Sequence, residues 1–245
     1  MTHRCIIVTG VSKGLGEAIA ANLLARGADV VGIGRTHADR LAGAAFRFVQ
    51  ADLREVESLP RTIDPLFDGI AARGYASVAL VNNAAVAGPA GRFGAIDPRE
   101  LRESVDVNLV APAILANAFV RAFANRNGDH RIVNVSSGAA VHPIPGAGVY
   151  NLGKAGLEMI ASVIASEQPK HGVQAITIRP GIIDTPMQAF IRSQPVDRLP
   201  SRAMFEAFHR DGQLVAPDVT AAAIVERLVL GPIEGGRVYS YDELR

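Results

Sequence analysis

Residues 5–34 of the chain read CIIVTGVSKGLGEAIAANLLARGADVVGIG, and this stretch decides the fold. The apolar run at its start predicts a buried strand, and leucine and isoleucine then recur with the 3.6-residue period of a helix as far as Gly27. A second apolar run follows directly. Strand, glycine-rich turn, helix and strand in this order are typical of a dinucleotide site, in which the helix amino terminus faces a pyrophosphate. Taken alone, the glycines could also form an ordinary tight turn that binds no dinucleotide.

The rest of the chain continues the alternation of short apolar runs with helical patterns. Near-continuous apolar strands separated by helices indicate a parallel sheet that is covered on both faces. We therefore predict an α/β fold for residues 1–245, a single-domain Rossmann-type doubly wound parallel sheet with helices on both faces. Further strands are expected at 46–49, 78–81, 132–135, 173–178 and 237–240, and helices at 53–72, 98–125, 150–168 and 217–230.

Residues 183–212 break this regularity, because prolines interrupt two short helix-like pieces there. The segment follows the end of a predicted strand, and long irregular segments in compact domains are often lids over a site. We expect a substrate loop or lid, with a loose surface excursion as the alternative.

Composition limits the possible partners. Lysine and arginine number 25 against 24 acidic residues, so no strong net charge favours nucleic acid or an anionic membrane. Cys5 is the only cysteine and the histidines lack metal-ligand spacing, which argues against a metal site. The first apolar run is too short for an export signal, and residues 109–120 fall short of the roughly 20 residues that a membrane helix needs. These features favour a small-molecule partner and a cytoplasmic location.

The end of the second strand bears on the choice of cofactor. Residues 31–35 read VGIGR, without the acidic residue that would bind the adenosine ribose hydroxyls. Arg35 offers a planar cation to a 2′-phosphate, and Lys13 in the glycine turn adds a second positive charge. Each of them alone is equally consistent with a solvated surface charge, but together they favour NADPH over NADH.

A second group of residues suggests acid–base chemistry. Tyr150 and Lys154 are four residues apart, so a helix places both on one face, and Ser137 precedes them. A phenol near pKa 10 is a poor acid or base at neutral pH. An adjacent ammonium group and a nicotinamide cation would favour the phenolate and move this pKa toward the working range. By itself, a tyrosine–lysine pair of this spacing is more often a surface pair.

In this order, the motifs resemble the short-chain dehydrogenase/reductase family. The match includes the glycine turn of residues 9–16, the Asn-Asn-Ala-Ala stretch at 82–85 and the Pro-Gly pair at 180–181. Many relatives have glycine where this chain has Ala85, a departure that we expect to be tolerated. The resemblance implies a nicotinamide cofactor contacted by Gly10, Ser12, Lys13, Gly14, Leu15, Gly16, Arg35, Asp52, Leu53, Asn83, Ala84, Ala85, Tyr150, Lys154, Pro180, Gly181, Ile183 and Thr185.

The same resemblance implies a catalytic set of Asn108, Ser137, Tyr150 and Lys154. Tyr150 would donate the proton in carbonyl reduction, and Ser137 would hydrogen-bond the carbonyl oxygen. Lys154 would bind the nicotinamide ribose and lower the pKa of the tyrosine. Asn108, at a kink in its helix, would hold a water in a proton relay.

Within the family, the stretch PGIIDTPMQ at residues 180–188 resembles bacterial benzil reductases that form (S)-benzoin, which are similar in turn to sepiapterin reductases. The resemblance implies an NADPH-dependent carbonyl reductase acting on a vicinal diketone such as benzil. Sepiapterin reductases anchor the pterin through an acid near the carboxyl terminus, where Tyr239 stands here and Asp242 is out of register. This tail is equally explained as closing the sheet. Lid side chains expected to hold an aryl or alkyl group are Met187, Phe190, Ile191, Met204 and Phe205.

Other functions stay open at this point. A 3-oxoacyl-[acyl-carrier-protein] reductase would carry a basic patch beside the site, and a dinucleotide-sensing protein on this fold would not need the catalytic set. His142 either lines the substrate mouth or lies exposed in its loop. The family also implies a homodimer or homotetramer through the helices at 98–125 and 150–168, and the apolar surface of the second helix supports this.

Overall fold

The computed structural model describes residues 3–168 and 172–245, and in this part of the chain the predicted α/β fold is confirmed. The apolar runs form strands that pair in parallel with every neighbour. The strands are β1 (Arg4–Thr9), β2 (Asp29–Gly34), β3 (Phe46–Gln50), β4 (Ser77–Asn82), β5 (Asp129–Val135), β6 (Gln174–Arg179) and β7 (Val238–Ser240).

Helices connect these strands, and two of them continue into π-helical turns, at Asp106–Val110 and Val225–Val229. A short 3₁₀ turn, Gly138–Ala140, follows β5. The α-helices are α1 (Gly14–Ala25), α2 (Leu59–Ala72), α3 (Pro98–Val105), α4 (Ala111–Phe123), α5 (Gly148–Glu167), α6 (Pro186–Arg192), α7 (Arg202–Arg210), α8 (Pro217–Ile224) and α9 (Tyr241–Leu244).

The strand order creates a point at which the direction of winding reverses. The order across the sheet is β3-β2-β1-β4-β5-β6-β7, so the chain winds outward from β1 to one edge and then returns to add β4 on the other side of β1. Open α/β sheets bind ligands at such a switch point, outside the carboxyl ends of the strands. The topology therefore places the candidate site beyond Thr9 and Asn82.

Two apolar layers cover the sheet. One layer packs α2, α4 and α5 against it and includes the fully buried Phe67 and Phe119. The other packs α1 and α8 and includes Ile19 and Ile224. Each layer removes apolar side chains from water on its own face, which accounts for strands that are apolar on both sides.

One continuous helix is longer than the apolar stretch 109–120, which by itself is too short to span a membrane. Counted through its π-helical turn, Pro98–Phe123 is long and apolar enough to cross a membrane by length and composition, although half of its apolar window is buried inside the protein. Leu115 and Phe119 of this helix are fully buried against the sheet. The apolar character of the helix is thus explained by its place in the core.

The irregular segment 183–212 contains α6 and α7. Its two ends are tied together, because Asp184 N–H donates to the Val215 carbonyl and Val215 N–H donates to the Ile182 carbonyl, at 2.9 and 2.8 Å. Ser201 donates from its hydroxyl to the Pro145 carbonyl at 3.0 Å. The segment is therefore a packed excursion with a narrow base, and it lies against the loop that precedes α5.

Candidate active site

A cavity of about 400 Å³ opens at the carboxyl ends of the strands. Its wall is built by the loops after β1, β2, β3, β4, β5 and β6, together with the lid. Except for Gly16, it collects every residue predicted to contact a cofactor, and also Ser137, Tyr150 and Lys154. Residues separated by up to 195 positions in the sequence, from Gly10 to Phe205, thus face one space.

The glycine turn is shaped for a group that approaches the backbone closely. Gly10 has φ +73°, and a Cβ there would lie 2.9 Å from the Ala84 Cα. At Gly16 a Cβ would lie 2.2 Å from the Gly10 carbonyl oxygen, so Gly16 acts by letting the helix pack against the turn and does not itself line the cavity. No side chain caps the amino terminus of α1, which leaves backbone N–H groups there for a phosphate. The turn therefore fits a dinucleotide.

Thr9 ties this turn to the next loop. Its hydroxyl oxygen accepts from the N–H groups of Asn83 and Ala84 at 3.0 and 2.9 Å. The Asn83 amide donates back to the Thr9 carbonyl at 2.9 Å. Thr9 belongs to the motif recognised in the sequence, but its part in holding the two cavity loops together was not predicted.

The far end of the cavity is basic. Lys13 and Arg35 are both exposed and both line it, as predicted. Arg54 also lines it and was missed by the sequence analysis, although it is the second residue after the predicted Asp52. Arg54 binds both oxygens of the Asp52 carboxylate, with Nη2 at 2.6 Å from Oδ2, and this pairing lowers the pKa of Asp52. The charges of Asp52 and Arg54 compensate each other, so Lys13 and Arg35 leave this end of the site with a net positive charge that attracts anions.

The helix α5 presents Tyr150 and Lys154, the predicted proton-transfer groups. Lys154 is 2% exposed, its Nζ lies 5.6 Å from the centre of the Tyr150 ring, and it donates to the Val135 carbonyl at 2.8 Å. Burial lowers the pKa of Lys154 to about 8. Burial also raises the pKa of Tyr150 to about 12, against a smaller lowering by the Ser137 hydroxyl. Among the protein's own groups, desolvation therefore outweighs this hydrogen bond, and the lowering expected from a nicotinamide cation beside Tyr150 stays a prediction.

Asn108 lies in the π-helical turn, which confirms the predicted kink. Its Oδ1 accepts from Val86 N–H at 3.0 Å, and its Nδ2 donates to the Val86 carbonyl at 2.9 Å and to Ser104 Oγ at 3.1 Å. The side-chain amide is thus committed to protein partners and does not line the cavity. A Cβ on Gly153 would lie 2.7 Å from the Asn108 Cβ, so this glycine lets α5 approach the turn closely. A water held by Asn108 would have to bind its backbone carbonyl.

The lid forms the apolar end of the cavity, together with apolar residues from neighbouring loops. Four of the five predicted lid residues line the cavity, whereas Met204 is 40% exposed and turns away. Gln188 lines it too, and its Oε1 is buried with no hydrogen-bond partner among the described residues. Small or aliphatic residues carried no chemical signal in the sequence, and those that complete the wall are Val86, Ala87, Ala90, Ile144 and Leu199.

Two further alternatives are resolved by position. His142 is exposed and does not line the cavity. The Tyr239 hydroxyl accepts from Glu234 N–H at 2.9 Å, and β7 pairs with β6, so the carboxyl-terminal tail closes the sheet. Asp242 lies beside Arg245, and among the described cavity residues Asp52 is the only acid. Within residues 3–168 and 172–245, no group of histidine, cysteine or acidic side chains could hold a metal ion.

Comparison with known proteins identifies the same family as the sequence motifs. A family model described as short chain dehydrogenase matches residues 4–196. The benzil reductase ((S)-benzoin forming) of Bacillus subtilis (strain 168) is 35% identical over 239 residues, 97% of this chain and 98% of that protein. The sepiapterin reductase of Bos taurus is 32% identical over 199 residues, covering 80% and 73% of the two chains. A solved short chain dehydrogenase/reductase from Saccharomyces cerevisiae superposes with a TM-score of 0.83 at 27% identity and covers 98% of this chain and 96% of its own.

Proposed function

Because this chain belongs to the short-chain dehydrogenase/reductase family of oxidoreductases, we propose that it is an NADPH-dependent carbonyl reductase whose substrates are vicinal diketones such as benzil. The observation that carries the proposal is one cavity with three regions: a basic end, the half-buried Tyr150 beside the buried Lys154, and an apolar end under a lid. The family uses nicotinamide cofactors, and two basic side chains at the far end, Lys13 and Arg35, favour the form with a 2′-phosphate.

The protein's own groups handle the proton. Tyr150 donates its hydroxyl proton to the carbonyl oxygen of the substrate, while the Ser137 hydroxyl donates a hydrogen bond to the same oxygen. Lys154 stabilises the phenolate that remains. When bound, the cofactor supplies the hydride that adds to the carbonyl carbon, so that the ketone is reduced to an alcohol.

A diketone suits the apolar end better than a pterin or a carrier-bound acyl chain. Met187, Phe190 and Phe205 offer contact area to an aryl or alkyl group, and the Nε2–H group of Gln188, which also lines the cavity, can donate to a second carbonyl oxygen. A neighbouring carbonyl also withdraws electrons and makes the first a better hydride acceptor. The hydroxyketone product lacks this activation, so reduction stops after one carbonyl.

The alternatives lack matching features. Sepiapterin-type anchoring needs an acid near the carboxyl terminus in the cavity, and Tyr239 there is engaged with the Glu234 backbone. An acidic carrier protein needs a basic patch, but residues 183–212 carry equal numbers of arginines and acids, including the pairs Arg202–Glu206 and Arg210–Asp211. A protein that only sensed dinucleotides would not require a lysine buried beside a tyrosine.

The test is an NADPH-oxidation screen over benzil, aliphatic diketones, sepiapterin, quinones and acetoacetyl thioesters, with products resolved by chiral chromatography. We expect turnover of diketones, accumulation of a single hydroxyketone enantiomer and little diol. Rapid conversion to the diol would contradict the substrate assignment. Activity on thioesters without activity on diketones would favour the acyl-carrier-protein alternative.

A further inference from the structure

A second polar cluster lies behind the catalytic residues, outside the set that the family motifs define. Arg179 binds the Glu158 carboxylate through both Nε and Nη2, each at 2.8 Å, and the Ser136 hydroxyl donates to Glu158 Oε1 at 2.8 Å. Ser136 is buried, and the side chains of Glu158 and Arg179 are only 13% and 30% exposed. Partly buried, bidentate arginine–carboxylate pairs fix geometry more firmly than surface pairs do.

Each member of this cluster is adjacent in sequence to a part of the active site. Glu158 is one helical turn after Lys154 on α5. Ser136 lies between Val135, whose carbonyl accepts from Lys154 Nζ, and Ser137, and its hydroxyl also reaches the Lys154 carbonyl at 3.4 Å. Arg179 ends β6 and directly precedes the Pro180-Gly181 pair of the cavity wall.

The cluster thus joins the helix that carries the proton-transfer groups to the loop predicted to contact the nicotinamide. No other side chain among the described residues binds both α5 and the end of β6 in this way. Asn134 on β5 also holds α5, because its side-chain amide donates to the Leu157 carbonyl at 3.0 Å, but it does not reach β6. Glu158 is therefore the side chain that links the helix of Tyr150 to the strand that ends before Pro180.

We propose that Glu158 is a positioning residue, which, through Ser136 and Arg179, fixes the separation between the Tyr150–Lys154 pair and the Pro180-Gly181 segment. The inference rests on the proposed reductase function, because it is the coordinated delivery of proton and hydride to one carbonyl that needs this separation to be constant. Misplacement by about 1 Å costs up to ~100-fold in rate when reacting groups must be aligned.

The cluster does not act through its charge. Burial lowers the pKa of Lys154, and the Glu158 carboxylate is paired with Arg179 and not with Lys154. The effect of removing Glu158 is therefore expected in the geometry of the transfer step and not in the affinity for the cofactor, whose phosphate contacts lie at the other end of the cavity.

Single-turnover oxidation of NADPH by benzil tests this, because its amplitude reports the fraction of folded enzyme and its rate constant reports the transfer step. For Glu158→Leu we expect a rate constant lowered about 10- to 100-fold, with an unchanged dissociation constant for NADPH in isothermal titration calorimetry. Glu158→Gln, which keeps an acceptor for Ser136, should fall between Glu158→Leu and the wild type. Arg179→Lys should likewise retain more of the rate than Arg179→Met, because it keeps the charge but loses the bidentate contact.

The matched control is Asp129→Asn, which removes the carboxylate partner of the buried Arg131 at the opposite end of β5. We expect it to lower the free energy of unfolding and leave the rate constant unchanged. If Glu158→Leu lowered only the amplitude and the unfolding free energy, as the control does, Glu158 would be a purely structural residue. A wild-type chain that binds NADPH but reduces no carbonyl compound would instead overturn the proposed function and this inference with it.

Discussion

Replacing Lys154 should make the protein more stable. Lys154 is 2% exposed, and burial lowers its pKa from the ordinary 10.5 to about 8. A lowering of this size corresponds to about 3 kcal/mol of unfavourable free energy for folding with the ammonium charged. The hydrogen bond from Nζ to the Val135 carbonyl returns about 1 kcal/mol. Lys154→Met, which keeps the length of the side chain, should therefore raise the free energy of unfolding at pH 7 by about 2 kcal/mol.

The lowered pKa of Lys154 determines how this difference in stability changes with pH. Below pH 8 the folded wild type must hold the buried lysine charged, so its full cost is present. Between about pH 8 and 10.5 the folded protein loses this proton before the unfolded chain does, and the stability of the wild type rises relative to the variant. The difference in the free energy of unfolding between the variant and the wild type should therefore be largest at neutral pH. It should shrink as the pH approaches 10.5.

Urea unfolding followed by circular dichroism measures this, since the chain has no tryptophan to report by fluorescence. Lys13→Met serves as the control, because it removes an exposed ammonium group and should leave stability unchanged. Carbonyl reduction by Lys154→Met should be lost. A variant that is less stable than the wild type at pH 7, or a difference that does not vary with pH, would refute the assignment of a strained, buried lysine.

Four other outcomes are expected. Tyr150→Phe should lower turnover at least ~100-fold while NADPH binding by calorimetry stays intact, because it removes the acidic proton and little volume; activity above about a tenth of wild type would exclude Tyr150 as the acid. Arg35→Ala should weaken NADPH by about 10- to 150-fold and leave NADH unaffected, and equal kcat/KM for the two cofactors in the wild type would contradict the cofactor assignment. Met159, 63% exposed on α5, should lie in a homodimer or homotetramer interface, so that Met159→Glu yields a 25.8 kDa monomer in sedimentation where the wild type is larger; a monomeric wild type at micromolar concentration would disprove this. Gln188→Leu should lower kcat/KM for diketones about 10-fold and spare simple ketones, whereas an equal loss for both would argue against contact with the second carbonyl.

The sequence was sufficient for the sheet and its helices because burial on both faces imposes a strong apolar pattern. The strand expected at 173–178 is found at Gln174–Arg179, for example. The helix expected from residue 53 begins only at Leu59, because the Asp52 side chain accepts from Arg54 N–H and the Asp52 carbonyl from Glu55 N–H, and this local turn competes with the helix.

The candidate site was predictable where chemistry is carried by residue type and spacing, as for the glycine turn and for Tyr150 and Lys154. The site was not predictable where tertiary packing decides which way a side chain points and which partner it binds. Met204 and Phe205 are neighbours on the same lid helix, and only Phe205 lines the cavity, while Met204 is exposed. Asn108 was found at its kink, but its amide binds Val86, a partner 22 residues away that spacing alone does not reveal.

The surroundings of Tyr150 favour one direction of reaction. Desolvation raises the pKa of the phenol to about 12, so at neutral pH the protein holds this group protonated, which is the form that a reductase needs before it donates a proton. Oxidation of an alcohol needs the phenolate instead, which the protein's own groups supply only at higher pH. Reduction should therefore stay fast up to pH values at which oxidation only begins. Initial rates in both directions between pH 6 and 10 would test this, and an oxidation rate that is already maximal at pH 7 would contradict it.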